Sequence, residues 1–138
     1  MSSTPDEDLR FAILRLSRRM RLERVDGDVT DSQLSVLFGI VNNEGLTIGV
    51  LSDLERVTPP SMNRTVNGLV EAGLATRTGS PDDGRKVIVV ATEQGKRLVL
   101  ETRRKREAWF STQLSSVTPD ERAALDAASP ILRRLADS

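Results

Sequence analysis

The chain has 138 residues, enough for one domain of ordinary size. Lys plus Arg is 20 and Asp plus Glu is 20, so the formal net charge is zero. His, Cys and Tyr are absent. Disulfides, cysteine or histidine metal sites, thiolate nucleophiles and His-dependent catalytic triads are therefore excluded, and we expect neither a metal nor a cofactor. What remains is a carboxylate or hydroxyl enzyme, or a binding protein.

The composition is that of a globular, soluble protein, with 38% hydrophobic and 29% charged residues. We find no apolar run that approaches the roughly 20 residues a membrane span needs. The first residues, MSSTPDED, are acidic and lack the basic and apolar segments of a secretory signal. The sequence thus predicts a cytoplasmic protein without a membrane partner.

The zero net charge is a sum of blocks of opposite sign. Residues 9–24 carry +5 and residues 56–106 carry +6, whereas residues 25–55 carry −6. The basic block at 56–106 is the candidate anion-facing surface. The alternative is that its Lys and Arg side chains only solvate helix faces. The position of the block in the fold must distinguish between these two interpretations.

The first two helices are predicted from apolar spacing and caps. Residues 9–25 form a helix in which Arg-rich faces flank an apolar stripe, an arrangement that favours an internal or dimer interface over a membrane surface. A break at 26–28 follows. Thr30 and Gln33 then form a capping box before a mostly apolar helix that ends at 42–45. A short helix is predicted from Thr47 to about Arg56.

The segment VTPPSMNRTVNGLVEAGL holds a complete set of helix signals. Thr58 is the predicted N-cap, Pro59 occupies the first helical position, and Gly73 ends the helix, which spans about 59–72. One face is apolar and packs on the domain: Met62, Val66, Leu69 and Val70. The other face carries short hydrogen-bonding side chains and one cation: Ser61, Asn63, Arg64 and Asn67.

A β-hairpin follows, with strands at 74–78 and 86–91 joined by the tip GSPDDGR. Thr92 and Thr118 then begin two helices over 93–116 and 119–137. The basic run at 103–106 is interpreted as helix solvation or interface ion pairs. Trp109 and Phe110 are interpreted as core or dimer-interface residues.

This order of elements is typical of a winged helix-turn-helix, a mainly α fold with a small β-wing. The three-residue connection at 57–59 between the two central helices fits the turn. The flanking helices are not needed by such a module. Their apolar stripes predict packing against a second copy of the chain.

Two stretches of the chain resemble a known protein family. The stretches that carry the resemblance are TIGVLSDLERVTPPSMNRTVNGLVEAGLATR and SPDDGRKVIVVATEQG. The second has a wing pattern in which Asp83 precedes Arg85 and is followed by a β-branched strand, Thr92 and Gly95. Over essentially its full length the chain resembles the MarR family of bacterial transcription regulators.

The resemblance implies one domain over 1–138, with a DNA-binding part at about 30–92 and dimerisation helices at 9–25 and 93–137. It implies a homodimer on a pseudo-palindromic site in double-stranded DNA, with the helix at 59–72 in the major groove and the wing at 74–91 at the minor groove. It also implies that the protein is a repressor, which leaves the DNA when a small aromatic or anionic effector binds. The expected DNA-contacting residues are Pro60, Ser61, Asn63, Arg64, Asn67, Arg77, Asp83, Arg85 and Lys86.

Each residue type suits its expected contact. Asn pairs bidentately with adenine and Arg with guanine. Arg85 at the wing tip suits a narrow minor groove, with Asp83 orienting it, while Arg77 and Lys86 suit phosphates. The alternative is a winged-helix protein-interaction module that does not read DNA. An enzyme is not expected, because Asp82 and Asp83, an adjacent acidic pair, lie at an exposed tip where raised carboxylate pKa values are not expected.

Overall fold

The computed structural model describes residues 2–25, 27–79 and 86–138. Within these ranges the chain forms six helices and three strands. The helices are α1 (Pro5–Leu22), α2 (Asp31–Asn42), α3 (Ile48–Glu55), α4 (Pro59–Glu71), α5 (Glu93–Leu114) and α6 (Pro119–Ala136). The strands are β1 (Leu46–Thr47), β2 (Ala75–Gly79) and β3 (Val87–Ala91). The predicted mainly α fold with a small β-wing is confirmed.

Each of these helices begins after a threonine whose side-chain oxygen accepts a hydrogen bond from a backbone N–H three residues later. In α1, α2 and α6 a Glu or Gln three residues on completes the capping box. Helix α1 starts at Pro5 and not at 9, because Thr4 and Glu7 form a capping box that the apolar periodicity did not reveal. It also ends at Leu22 and not at 25, and the other predicted helix bounds agree with the structure within two residues.

The sheet has three antiparallel strands in the order β1-β3-β2. Arg77 of β2 and Leu46 of β1 both pair with Val89, from opposite sides of β3. The sequence predicted the β2–β3 hairpin but not β1. A two-residue strand is too short for apolar alternation to appear, so only its pairing with β3 identifies it.

The hydrophobic core lies entirely in the central part of the chain. Leu37 of α2, Leu51 of α3, Val66 of α4 and Val89 of β3 are at most 1% exposed, and Val99 joins them from α5. Within the described ranges, α1 and α6 contribute no buried residue. The central helices and the sheet therefore fold around their own core, and the two terminal helices project apolar side chains outward.

The basic run on α5 holds the connection between α1 and α2 (residues 23–30). Arg106 Nε donates to the Glu23 carbonyl at 3.2 Å and Lys105 Nζ to the Arg24 carbonyl at 3.5 Å. Arg103 and Arg106 both lie over the Phe38 ring. Burial, followed by the charge of nearby Arg24, lowers the pKa of Arg106. The interpretation of the run as helix solvation or interface ion pairs was wrong for Arg103 and Arg106, which contact groups of their own chain. Arg104 and Lys105 are exposed, as helix solvation requires.

In the part of the chain that the structure describes, we find no helix that combines the length and the apolar character needed to cross a membrane.

Candidate nucleic-acid interface

Helices α3 and α4 pack together as a helix-turn-helix. The turn is residues 56–58, and its first residue, Arg56, adopts the left-handed conformation with φ 55°. The Val57 N–H donates to the Ser52 carbonyl at 3.0 Å, which closes the end of α3. Thr58 then caps α4 by accepting from the Ser61 N–H at 3.3 Å. These contacts fix the direction in which α4 leaves the turn.

The exposed side of α4 is a strip of polar residues opposite its buried side. Met62, Val66 and Leu69 are at most 1% exposed and anchor the helix. The residues at 60, 63, 64 and 67 recur at steps of three and four, so they share one face. The structure exposes all four of them, and it half-buries the neighbouring Ser61.

Two of these side chains already have partners. Asn63 Nδ2 donates to the Pro59 carbonyl at 3.1 Å, one turn back along the helix. Asn67 Oδ1 accepts from Arg77 Nη2 of β2 at 2.6 Å. Among the described residues, none of the hydrogen bonds or ion pairs involves Arg64, and its side chain stands exposed on the strip. On this strip, therefore, the Arg64 guanidinium has no partner among the described residues, and the Asn67 amide is hydrogen-bonded to β2.

The N-terminus of α4 carries a positive potential that nearby carboxylates do not neutralise. Its first turn contains Pro59, Pro60 and Ser61 and no acidic residue. The helices α1, α2, α5 and α6 each have one to three acidic residues in the first turn, whereas α3, like α4, has none. Because the helix dipole adds about half a positive charge at this end, the position favours an anion.

The wing supplies further cations. Arg77 lies on β2 and Lys86 just before β3, and both are exposed. The structure brings Arg77 to α4 through Asn67, a contact that the sequence did not predict. Asp83 and Arg85, expected at the wing tip, lie outside the described residues. Arg56, which was not among the expected DNA-contacting residues, is a further exposed cation in the turn just before α4.

A cleft of about 700 Å³ lies behind α4. The connection between α1 and α2, the first half of α2, the end of α4 and the first half of α5 all line it. Its charged lining residues are two arginines and three carboxylates: Arg24, Arg97, Asp28, Glu71 and Glu101. Arg24 is fixed there by an ion pair with Asp31 at 2.7 Å. A molecule in this cleft would touch both α4 and the long helix α5.

Comparisons with known proteins agree with this architecture. Residues 27–86 match the sequence profile of the MarR family. The chain is 38% identical over 130 residues to an uncharacterized HTH-type transcriptional regulator of Mycobacterium bovis, covering 94% of this chain and 91% of the relative.

Solved structures share the fold. The structure of a MarR family protein from Bacillus stearothermophilus superposes with a TM-score of 0.83 at 21% identity, covering 96% of this chain and 93% of that one. A mutant of S. aureus MepR bound to an oligodeoxyribonucleotide gives a TM-score of 0.67 at 18% identity, with 99% of each chain covered. Sequence and fold together lead to one conclusion: the chain belongs to the MarR family of helix-turn-helix transcriptional regulators, which bind DNA and are not enzymes.

Proposed function

We propose that two copies of this chain form a homodimeric repressor that reads a pseudo-palindromic DNA site. Helix α4 enters the major groove in each half-site, and the β2–β3 wing lies at the minor groove. The observation that carries the proposal is the exposed strip of α4, where Arg64 and Asn67 stand beside a helix N-terminus without acidic residues. A surface that merely solvates a helix has no need of this combination.

The proposed contacts follow the chemistry of each side chain. Base edges and nearby phosphates are contacted by Ser61, Asn63, Arg64 and Asn67. The Pro60 ring, at the start of the helix, lies next to the DNA backbone. Lys86 and Arg77 suit phosphates, and Arg85 with Asp83 completes the wing. The mutant of S. aureus MepR that shares this fold was crystallised with an oligodeoxyribonucleotide, which supports DNA as the partner.

Exposed apolar residues on the terminal helices α1 and α6 support the proposal of a homodimer. Leu9 on α1 is 57% exposed and Leu135 on α6 is 58% exposed, and other large apolar residues of both helices are also exposed. Helix α6 buries none of its 18 residues against the rest of the described chain. Because isolated helices of this length are marginal in water, α6 needs another apolar surface. We assign residues 30–92 to DNA reading, and 9–25 with 93–137 to dimerisation.

The DNA-reading function is tested by selecting sites from a random duplex library. The enriched duplex and a shuffled control are then titrated by fluorescence anisotropy between about 50 and 200 mM salt. We expect affinity for the enriched duplex at least about 10³-fold above that for the control. Both affinities should fall steeply with salt. A library that enriches no sequence would instead support the protein-interaction module.

The dimer is tested by the double variant Leu16→Glu with Leu132→Glu, which places a charge on the apolar face of α1 and of α6. Light scattering coupled to gel filtration should give the mass of two chains for the wild type and of one chain for the variant. The matched control is Leu54→Glu, an exposed leucine on α3 outside both helices. A double variant that keeps the mass of two chains would contradict the assignment of α1 and α6 to the interface.

The cleft behind α4 is the proposed effector site. Its volume of about 700 Å³ lies within the range of small-molecule pockets, roughly 300–1,000 Å³. Arg97 can pair with an anionic group, but the carboxylates Asp28, Glu71 and Glu101 also line the cleft. The apolar stems of Arg24 and Arg97 suit an aromatic molecule. Since α4 and α5 share this cleft, a molecule that prefers one arrangement of the two helices would change DNA affinity.

A further inference from the structure

We infer that Asn67 and Arg77 act as one donor unit that selects guanine, with Arg77 as the positioning residue. This inference rests on the proposed function, because it requires α4 in the major groove. The observation behind it is the 2.6 Å hydrogen bond from Arg77 Nη2 to Asn67 Oδ1, which joins β2 to the exposed strip of α4.

The hydrogen bond fixes which way the asparagine amide points. A guanidinium has five N–H donors and no acceptor, so the atom of Asn67 that meets it must be Oδ1. The Nδ2 amino group is therefore on the other side of the amide and has two N–H donors to give. Both residues are exposed, so a base edge can reach the pair.

The pair presents donors and a positive charge. Arg77 uses one N–H on Asn67 and keeps the others, and the Asn67 oxygen lies against a cation. Adenine in the major groove offers one acceptor, N7, and one donor, N6. Its N6 amino group would have to donate to the second lone pair of the Asn67 oxygen, beside the positively charged guanidinium that uses the first. Guanine offers two acceptors, N7 and O6, which match a donor-only surface.

The pair changes what Asn67 alone would be expected to read. A free asparagine side chain pairs bidentately with adenine. With its oxygen engaged by Arg77, the same side chain becomes complementary to guanine. Arg77 therefore acts on base preference through Asn67, and its remaining N–H groups can bind a phosphate at the same time.

The first test asks whether the pair exists in solution without DNA. In ¹⁵N NMR spectra, the Asn67 side-chain amide resonances should shift in Arg77→Ala and stay in place in Lys96→Ala, a control that removes an exposed cation from α5. Unchanged Asn67 resonances in Arg77→Ala would overturn the inference and leave the proposed function untouched.

The second test measures base preference by random-site selection. The position that Asn67 reads is the one whose preference disappears in Asn67→Ala. There the wild type should select guanine over adenine by about fivefold or more, roughly the worth of one net hydrogen bond. In Arg77→Ala, which frees Oδ1, the preference should move to adenine. In Arg77→Lys, which still donates to Oδ1, guanine should remain.

A third variant inverts the chemistry. Asn67→Asp keeps a partner for Arg77 but replaces the outward amino group with an acceptor oxygen, so the preference should move to cytosine, whose N4 is a donor. Wild-type selection of adenine at this position would overturn the inference. So would a uniform affinity loss in Arg77→Ala without a change of preference, because Arg77 would then be a plain phosphate contact. A library that enriches nothing would instead remove the proposed function.

Discussion

Replacing Arg64 with alanine is expected to weaken binding to the selected DNA by about 1–3 kcal/mol per half-site, at least a fivefold loss of affinity. Arg64 is exposed on the same face of α4 as Asn67, and its guanidinium has no partner among the described residues. A guanidinium in this position can form two parallel hydrogen bonds to guanine O6 and N7. Anisotropy titrations of the selected and shuffled duplexes measure the loss.

Arg64→Lys separates base reading from phosphate binding. Lysine keeps the charge but lacks the planar fork of donors, so a base-reading Arg64 should not be replaced by it. A loss confined to the selected duplex, with an unchanged salt slope, supports a base contact. Nearly full affinity in Arg64→Lys, together with an equal loss on both duplexes in Arg64→Ala and a salt slope reduced there by about one per contact, assigns Arg64 to a phosphate. Full affinity in Arg64→Ala would contradict the placement of α4 in the groove.

Gly95→Ala is expected to destabilise the fold by about 1–3 kcal/mol, although alanine is the better helix former. Gly95 lies in the first turn of α5, where its backbone packs directly on the start of β2. A methyl group at Gly95 would press on the carbonyl oxygen of Leu74, 3.1 Å from the carbonyl carbon and 3.2 Å from Leu37 Cδ1. Backbone atoms cannot move aside as the end of a flexible side chain can.

Gly39→Ala is the matched control. Gly39 lies inside α2, and a methyl group there would meet only Leu51 Cδ2 at an ordinary 4.0 Å among the described residues. Helix propensity should then stabilise the fold by about 0.5–1 kcal/mol. Chemical denaturation at one fixed protein concentration measures both variants, because association adds to apparent stability. Stabilisation by Gly95→Ala would contradict the close packing of α5 on β2.

The helices and the exposed polar face of α4 were predictable because their signals are local. Threonine caps, Pro59 at the first helical position and the apolar spacing within α4 each act within a few residues. The family resemblance also marked Thr92 and Gly95, and the structure supplies the reason. Thr92 Oγ1 accepts from the Gly95 N–H at 3.1 Å and donates to the Gly73 carbonyl at 2.7 Å.

The contacts that the sequence did not reveal join distant parts of the chain. Arg106 and the Glu23 carbonyl are 83 residues apart, and Asn67 and Arg77 belong to different elements. A run of basic residues looks the same whether it faces water, a phosphate or a carbonyl of its own chain. Composition therefore located the cations, and only the packing of α5 and β2 showed which ones are already engaged.

The length of α5 has a mechanical consequence. Its 22 residues form one helix about 33 Å long. Its start is fixed where Gly95 packs on Leu74. Trp109, five residues before its end, lies beneath Arg19 of α1 at 4.8 Å. Such a rod acts as a lever, so a tilt of about 5° at one end displaces the other by about 3 Å, close to the rise of one base pair. In the proposed homodimer, very small angular changes at the terminal helices would thus be enough to move the two copies of α4 into or out of register with the DNA.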